Sequence, residues 1–195
     1  MSLVIGNGES RRGIDIDSIN TTKIGCNAIL RDFKVNHLVC VDRKMVREAV
    51  STNYQSLIYT RKDWASEFQH IPLVKEVPEL PYHGTERHDE PFQWGSGPYA
   101  VLLASIVTNA WSDDVSLLGF DLYSNNDRVN NVYKDTPNYN TSEHHYIDPR
   151  YWIYQIGKVF ECFPYHTYKI HAPKDWELPK AWNYPNVSLD KLSSL

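Results

Sequence analysis

At 195 residues with 42% hydrophobic side chains, the chain has the length of one large domain and enough apolar material for a real core. Twenty basic against 24 acidic residues leave a net charge of −4, which argues against a dedicated nucleic-acid binder and its basic stripe. The longest apolar runs, such as 100–103, fall far short of a membrane span, and no basic-then-apolar leader precedes the first strand. Cys26, Cys40 and Cys162 are widely spaced with no CxxC pair, so a reduced, cytoplasmic protein with free thiols is expected.

Short apolar runs alternate with helical patterns, which predicts an α/β, Rossmann-like three-layer domain with a mostly parallel sheet. Residues 3–6 read as the first strand, and 22–27 and 37–42 as the next two. Residues 43–52 carry Met45, Val46, Ala49 and Val50 at helical spacing, and 56–60 read as a further strand. The stretch 76–93, rich in Pro, Gly, His and charge, reads as a loop. Gly95-Ser96-Gly97-Pro98 then opens a helix through 111, with Pro98 well suited to a first helical turn. After a strand over 115–121 comes a polar segment, 124–147. Its six asparagines between Asn125 and Asn140 and its length predict a lid-like binding loop. Asp148-Pro149 starts a helix over 150–163, and 167–171 form the last expected strand. The domain is expected to span 1–171, with 172–195, rich in Pro, Trp and Asn, as an irregular C-terminal arm.

In open α/β sheets, ligands bind beyond the carboxyl ends of the strands, where strand order reverses. Four polar motifs fall at expected strand ends or helix starts: Gly6-Asn7-Gly8, Cys26-Asn27, Gly95-Ser96-Gly97 and Gly119-Phe120-Asp121. Glycine lets backbone approach a phosphate, a helix start supplies N–H donors, and an Asn amide matches a base edge or a ribose. Each motif alone has an ordinary structural reading as a turn or a connection. Their joint placement points to one nucleotide site.

Gly6-Asn7-Gly8-Glu9-Ser10 with Ile14-Asp15 resembles the GNGPS…ID opening of bacterial CMP-sialic-acid sialyltransferases, glycosyltransferase family 42. In the same order, Cys26-Asn27, Gly95-Ser96-Gly97, Gly119-Phe120-Asp121-Leu122-Tyr123 and His145-Tyr146-Ile147 are similar to further motifs of that family. A related group, which includes archaeal pterin pyrophosphokinases, shares the opening and the late Gly-x-Asp. The resemblance implies an inverting, metal-independent transfer from a CMP-activated sugar to a carbohydrate acceptor. It implies nucleotide contacts from Gly6, Asn7, Gly8, Asn27, Ser96 and Gly97, and a positioning role for Asp121. Tyr133 and Tyr139 resemble a tyrosine pair that holds the leaving phosphate. Two positions depart from the family: Glu9 stands where it has proline, and Pro149 where it has its catalytic histidine.

His145 or its neighbour His144 then becomes the expected general base, His145 first, because a near-neutral imidazole suits an alcohol nucleophile. The two carboxylates Asp42 and Asp121 leave a second reading open, a Mg²⁺-dependent pyrophosphokinase-like enzyme of the same fold, and a third is a nucleotide-binding module without turnover. His83 and His88 match no standard zinc spacing, so no metal site is expected. No other cofactor is expected, and the oligomeric state stays open, a homo-oligomer included.

Overall fold

The computed structural model describes residues 1–80, 94–108, 114–124 and 126–195, so most of the loop expected at 76–93, with His83 and His88, lies outside the described residues. Eight strands form one wholly parallel sheet. They are β1 (Ser2–Ile5), β2 (Thr22–Cys26), β3 (His37–Val39), β4 (Leu57–Thr60), β5 (Val74–Glu76), β6 (Asp114–Leu118), β7 (Thr167–Ala172) and β8 (Val187–Lys191). Their spatial order is β5-β4-β3-β2-β1-β6-β7-β8. The chain therefore builds outward from β1 to one edge, then returns to the other flank of β1 with β6. Strand order reverses between β1 and β6.

The helices are α1 (Arg43–Ser51), the single turn α2 (Lys62–Ala65), α3 (Ser96–Val107) and α4 (Arg150–Cys162). Strand β1 is buried on both faces, as a strand covered from both sides must be. Leu3 and Ile5 join Met45, Val46 and Ala49 of α1 in one core, whereas Val4 joins α3 and α4 residues such as Leu102, Ile156 and Phe160 in the other. Three layers result, as expected for a Rossmann-like α/β domain. Helix α3 is apolar nearly all round because it lies in the middle of its layer, where it contacts β1, β2, β3 and α4. Among the described residues, no helix is long and apolar enough to cross a membrane.

Two expectations need correction. Residues 172–195 are not an irregular arm, because 187–191 add an eighth strand beside β7, with Ala172 paired to Lys191. Asn186 pins its start: its carbonyl accepts the Tyr168 N–H at 2.8 Å, and its Nδ2 donates to the carbonyls of Phe160 in α4 and Phe163 just beyond it. Trp182, fully buried, anchors the connection by donating from Nε1 to the Ile153 carbonyl at 2.8 Å. The third strand also stops at Val39 rather than 42, since Asp42 turns out of the sheet and its carbonyl receives the first α1 amides, Met45 and Val46.

Candidate functional site

Strands β1 and β6 end in contact. Gly6 N–H donates to the Leu118 carbonyl at 2.8 Å, and Gly8 N–H to the Gly119 carbonyl at 2.9 Å. A Cβ on Gly6 would stand 2.4 Å from Gly119 O, and Gly119 itself has φ +73°, so both positions require glycine. The Asp121 carboxylate holds the next turn, accepting the Ser10 N–H at 2.9 Å and the Ser10 hydroxyl. A side chain on Gly8 would collide with that carboxylate at 2.4 Å. Asp121 is thus a positioning group for the Gly6–Ser10 turn.

Beside this turn lies a cavity of about 780 Å³ at the point where strand order reverses. Gly6, Asn7, Gly8, Asn27, Ser96, Gly97, Asp121 and Tyr139 all line it, so most of the residues singled out in the sequence come together there. Ser96 ties three elements: its hydroxyl donates to Asn27 Oδ1 at 2.8 Å and accepts the Val41 N–H at 3.1 Å. That holds Asn27 in a left-handed conformation, φ 49°, with its Nδ2 free of protein partners among the described residues. Leu122, another lining residue, has φ 59°, which is rare for a bulky side chain. Backbone strain thus gathers at this cavity.

Helices α1, α3 and α4 all begin on its wall. In α3 no side chain caps the first turn, and the earliest amide taken is Tyr99, by the Gly95 carbonyl at 3.1 Å. Among the described residues nothing accepts from the Ser96 and Gly97 amides, which leaves them for a ligand, and the helix dipole adds partial positive charge to them. On the other side Tyr139 closes the cavity. Its hydroxyl accepts the Asn7 Nδ2–H and the Ala28 N–H, each at 3.2 Å, which leaves its own proton for a ligand oxygen. Burial pushes the Tyr139 pKa well above its ordinary value, so this proton stays in place.

Tyr133 and His145 stand elsewhere. Tyr133 is buried against a second, smaller cavity of about 430 Å³ and does not line the first. Its hydroxyl accepts from Arg11 Nη2 at 2.7 Å and donates to Asp32 at 2.6 Å. The Arg11 guanidinium sits over both the Phe33 and Tyr133 rings. Tyr133 is therefore spent on a buried cation, and only Tyr139 of the expected pair can reach a ligand in the main cavity. His145 does not line the cavity either: its side chain is 77% exposed and its Nδ1 pairs with Asp127 at 3.2 Å. His144 bonds the Thr141 hydroxyl at 2.8 Å.

The polar loop expected as a lid is a strapped cover. The Val132 N–H donates to the Asn7 carbonyl at 2.8 Å. Arg31 holds Thr136 at 2.8 Å and the Pro137 carbonyl at 2.9 Å while forming a two-pronged ion pair with Glu48. Asn138 Nδ2 donates to Glu48 as well, at 3.0 Å. Those contacts keep Asn130, Asn131, Asn138 and Asn140 on the cavity wall. Three lining cations, Arg43, Lys44 and Arg61, were missed in the sequence. Cys26, also lining, has its thiol pushed up to about 12 by burial, with Arg11 opposing, so it is an inert wall rather than a nucleophile. Comparison of the chain with models of known families, with characterised proteins and with solved structures gives no match.

Proposed function

We propose that the main cavity binds an activated nucleotide, and that the chain transfers the group the nucleotide carries, a sugar on CMP, to an acceptor hydroxyl. One observation carries the reading. The tight Gly6–Gly8 turn, the open amides of Ser96 and Gly97 and the Tyr139 hydroxyl converge on one cavity at the reversal of strand order. The Ser96 and Gly97 N–H groups and the Tyr139 O–H are fixed donors suited to the phosphate of a departing nucleotide, and the turn, without side chains at Gly6 and Gly8, lets it approach closely. The Asn27 amide and the asparagines of the cover would meet the ribose and the base edge.

In the reaction the bond from the sugar to the phosphate oxygen breaks, the bond from the acceptor oxygen to the same carbon forms, and CMP leaves. The acceptor's proton must go to a group inside the cavity. His145 is outside it, and Asp121 is held by Ser10, so Asp42 takes this role: it lines the cavity and its carboxylate has no hydrogen-bond partner among the described residues.

A second reading has the same residue as its support. A carboxylate free on the wall of a phosphate-type cavity would also serve to hold Mg²⁺ against a triphosphate, as in pyrophosphoryl transfer. Calorimetry with CMP, UDP, ADP, ATP and GDP, with Mg²⁺ or with EDTA, separates the two. The transferase reading expects cytidine nucleotides to bind equally with EDTA, and Asp42→Asn to abolish turnover while leaving affinity within about twofold. Binding of ATP only with Mg²⁺, weakened by Asp42→Asn, would replace it with the second. No heat with any nucleotide would refute both.

A further inference from the structure

One wall of the cavity is formed by the start of α1 and the end of β4. It presents Arg43, Lys44 and Arg61, against which stands one carboxylate, Asp42. The arrangement is costly in local terms. Arg43 and Lys44 occupy the first turn of α1, where the helix dipole disfavours cations, and beyond Asp42 at the N-cap that turn holds no acid. Lys44 is exposed and makes no ion pair or hydrogen bond among the described residues.

The two arginines are also fixed rather than loose. Their guanidinium carbons lie 5.7 Å and 5.1 Å from the Trp64 ring centroid, so one indole positions both. Glu67 holds Arg43 at 2.5 Å while also pairing with Arg47 at 2.7 Å, so a single carboxylate serves two guanidiniums. Asp63 grips Arg61 through Nε at 2.9 Å. Neither Glu67 nor Asp63 lines the cavity, so the carboxylates stand behind and the cations face in. Folding gains little from this pattern, since these pairs are largely exposed. An anion in front of them would offset both the dipole and the mutual repulsion.

We infer that this wall is a second anion subsite, so that the ligand carries another anionic group besides the phosphate held at Gly6–Gly8 and Ser96. This rests on the nucleotide reading above and deepens it. The chemistry has two sources, a further phosphate of a nucleoside di- or triphosphate, or a carboxylate on the transferred sugar. Linking two anions makes the second contact intramolecular, so it adds strongly to affinity.

The test is calorimetry of wild type and Lys44→Met with CMP, CDP, CTP, CMP-sialic acid and inorganic pyrophosphate. Lys44 makes no ion pair or hydrogen bond among the described residues, so this variant leaves the structure intact, and Arg61→Gln serves as a second, independent probe. The subsite predicts that CDP and CTP, or CMP-sialic acid with its carboxylate, bind at least about tenfold tighter than CMP. Lys44→Met should reduce that preference to about twofold while CMP affinity is unchanged. Preference for CDP and CTP identifies a phosphate, and preference for CMP-sialic acid a carboxylate. If the four cytidine nucleotides bind alike in wild type, the subsite is refuted and the nucleotide reading stands. If only pyrophosphate binds, and Lys44→Met abolishes it, the subsite stands and the nucleotide reading falls. If Lys44→Met and Arg61→Gln match wild type with every probe, the subsite is refuted.

Discussion

Replacing Gly6 by alanine tests the junction on which the site depends. The new Cβ would lie 2.4 Å from the Gly119 carbonyl oxygen, where ordinary contact begins at 3.4 Å. The ends of β1 and β6 must therefore part by about 1 Å, because the obstacle is backbone and cannot rotate away. Overpacking of this kind costs about 1–3 kcal/mol. The bonds from Gly6 to Leu118 and from Gly8 to Gly119 lie in the path of the shift, and weakening each adds about 0.5–1.5 kcal/mol. A total of about 2–6 kcal/mol lowers Tm by roughly 4–24 °C for a chain of this size. Thermal unfolding followed by circular dichroism measures it. Gly157→Ala is the control: its nearest neighbour would be 3.6 Å away and it lies inside α4, so alanine there should be neutral or stabilising by up to ~1 kcal/mol. A Gly6→Ala protein melting within 2 °C of wild type would refute the argument.

Three further outcomes follow from the geometry. His145→Ala and His144→Ala should each change turnover by less than about threefold, whereas loss of a general base costs about 10²–10⁴-fold; a large, selective loss at His145 would mean the cover closes further than its contacts indicate. Glu48, held by Arg31 and Asn138, has its carboxyl below the ordinary range; its contribution is complete above an unfolded value of ~4.3 and is lost as pH falls through the lower folded value. Glu48→Gln should thus lower Tm by about 2–4 °C at pH 7 and by progressively less below pH 4, and a gap that widens in acid would contradict the assignment. Among the three thiols, only Cys162 is exposed, so a thiol reagent should titrate one group in the native protein and three in denaturant; rapid reaction of Cys26 or Cys40 would contradict their burial.

The parts of the site that were legible in the sequence are those where backbone chemistry leaves few options. Gly6, Gly8 and Gly119 sit where strands end, and a side chain at any of them would meet an atom closer than 3.0 Å. Ser96 and Asn27 were readable for the same reason, as polar residues at the ends of apolar runs. Tyr133 and Tyr139 were not separable, because their six-residue spacing runs through a segment of turns in which direction depends on the tertiary contacts of each residue. Arg11 claims one hydroxyl, whereas Asn7 and Ala28 claim the other. Arg43, Lys44 and Arg61 carry no local signal that distinguishes them from solvated surface charge, and it is the crossover from β3 through α1 to β4 that turns them to one cavity. Strand β8 was hidden because its register comes from Asn186 and Trp182 bonding back to α4 and β7, contacts with no periodic pattern.

The central claim is that nucleotide phosphate docks against the start of α3 in the main cavity. Amide chemical-shift mapping of isotope-labelled protein during a CMP titration tests it most directly. The account predicts saturable shifts centred on Ser96 and Gly97, accompanied by Gly8, Asn27 and Ala28, with His145 and the smaller cavity's Asp32 and Phe33 unmoved. Shifts centred on the smaller cavity around Arg11 and Tyr133, or no shift at Ser96 and Gly97 at saturating CMP, would contradict it.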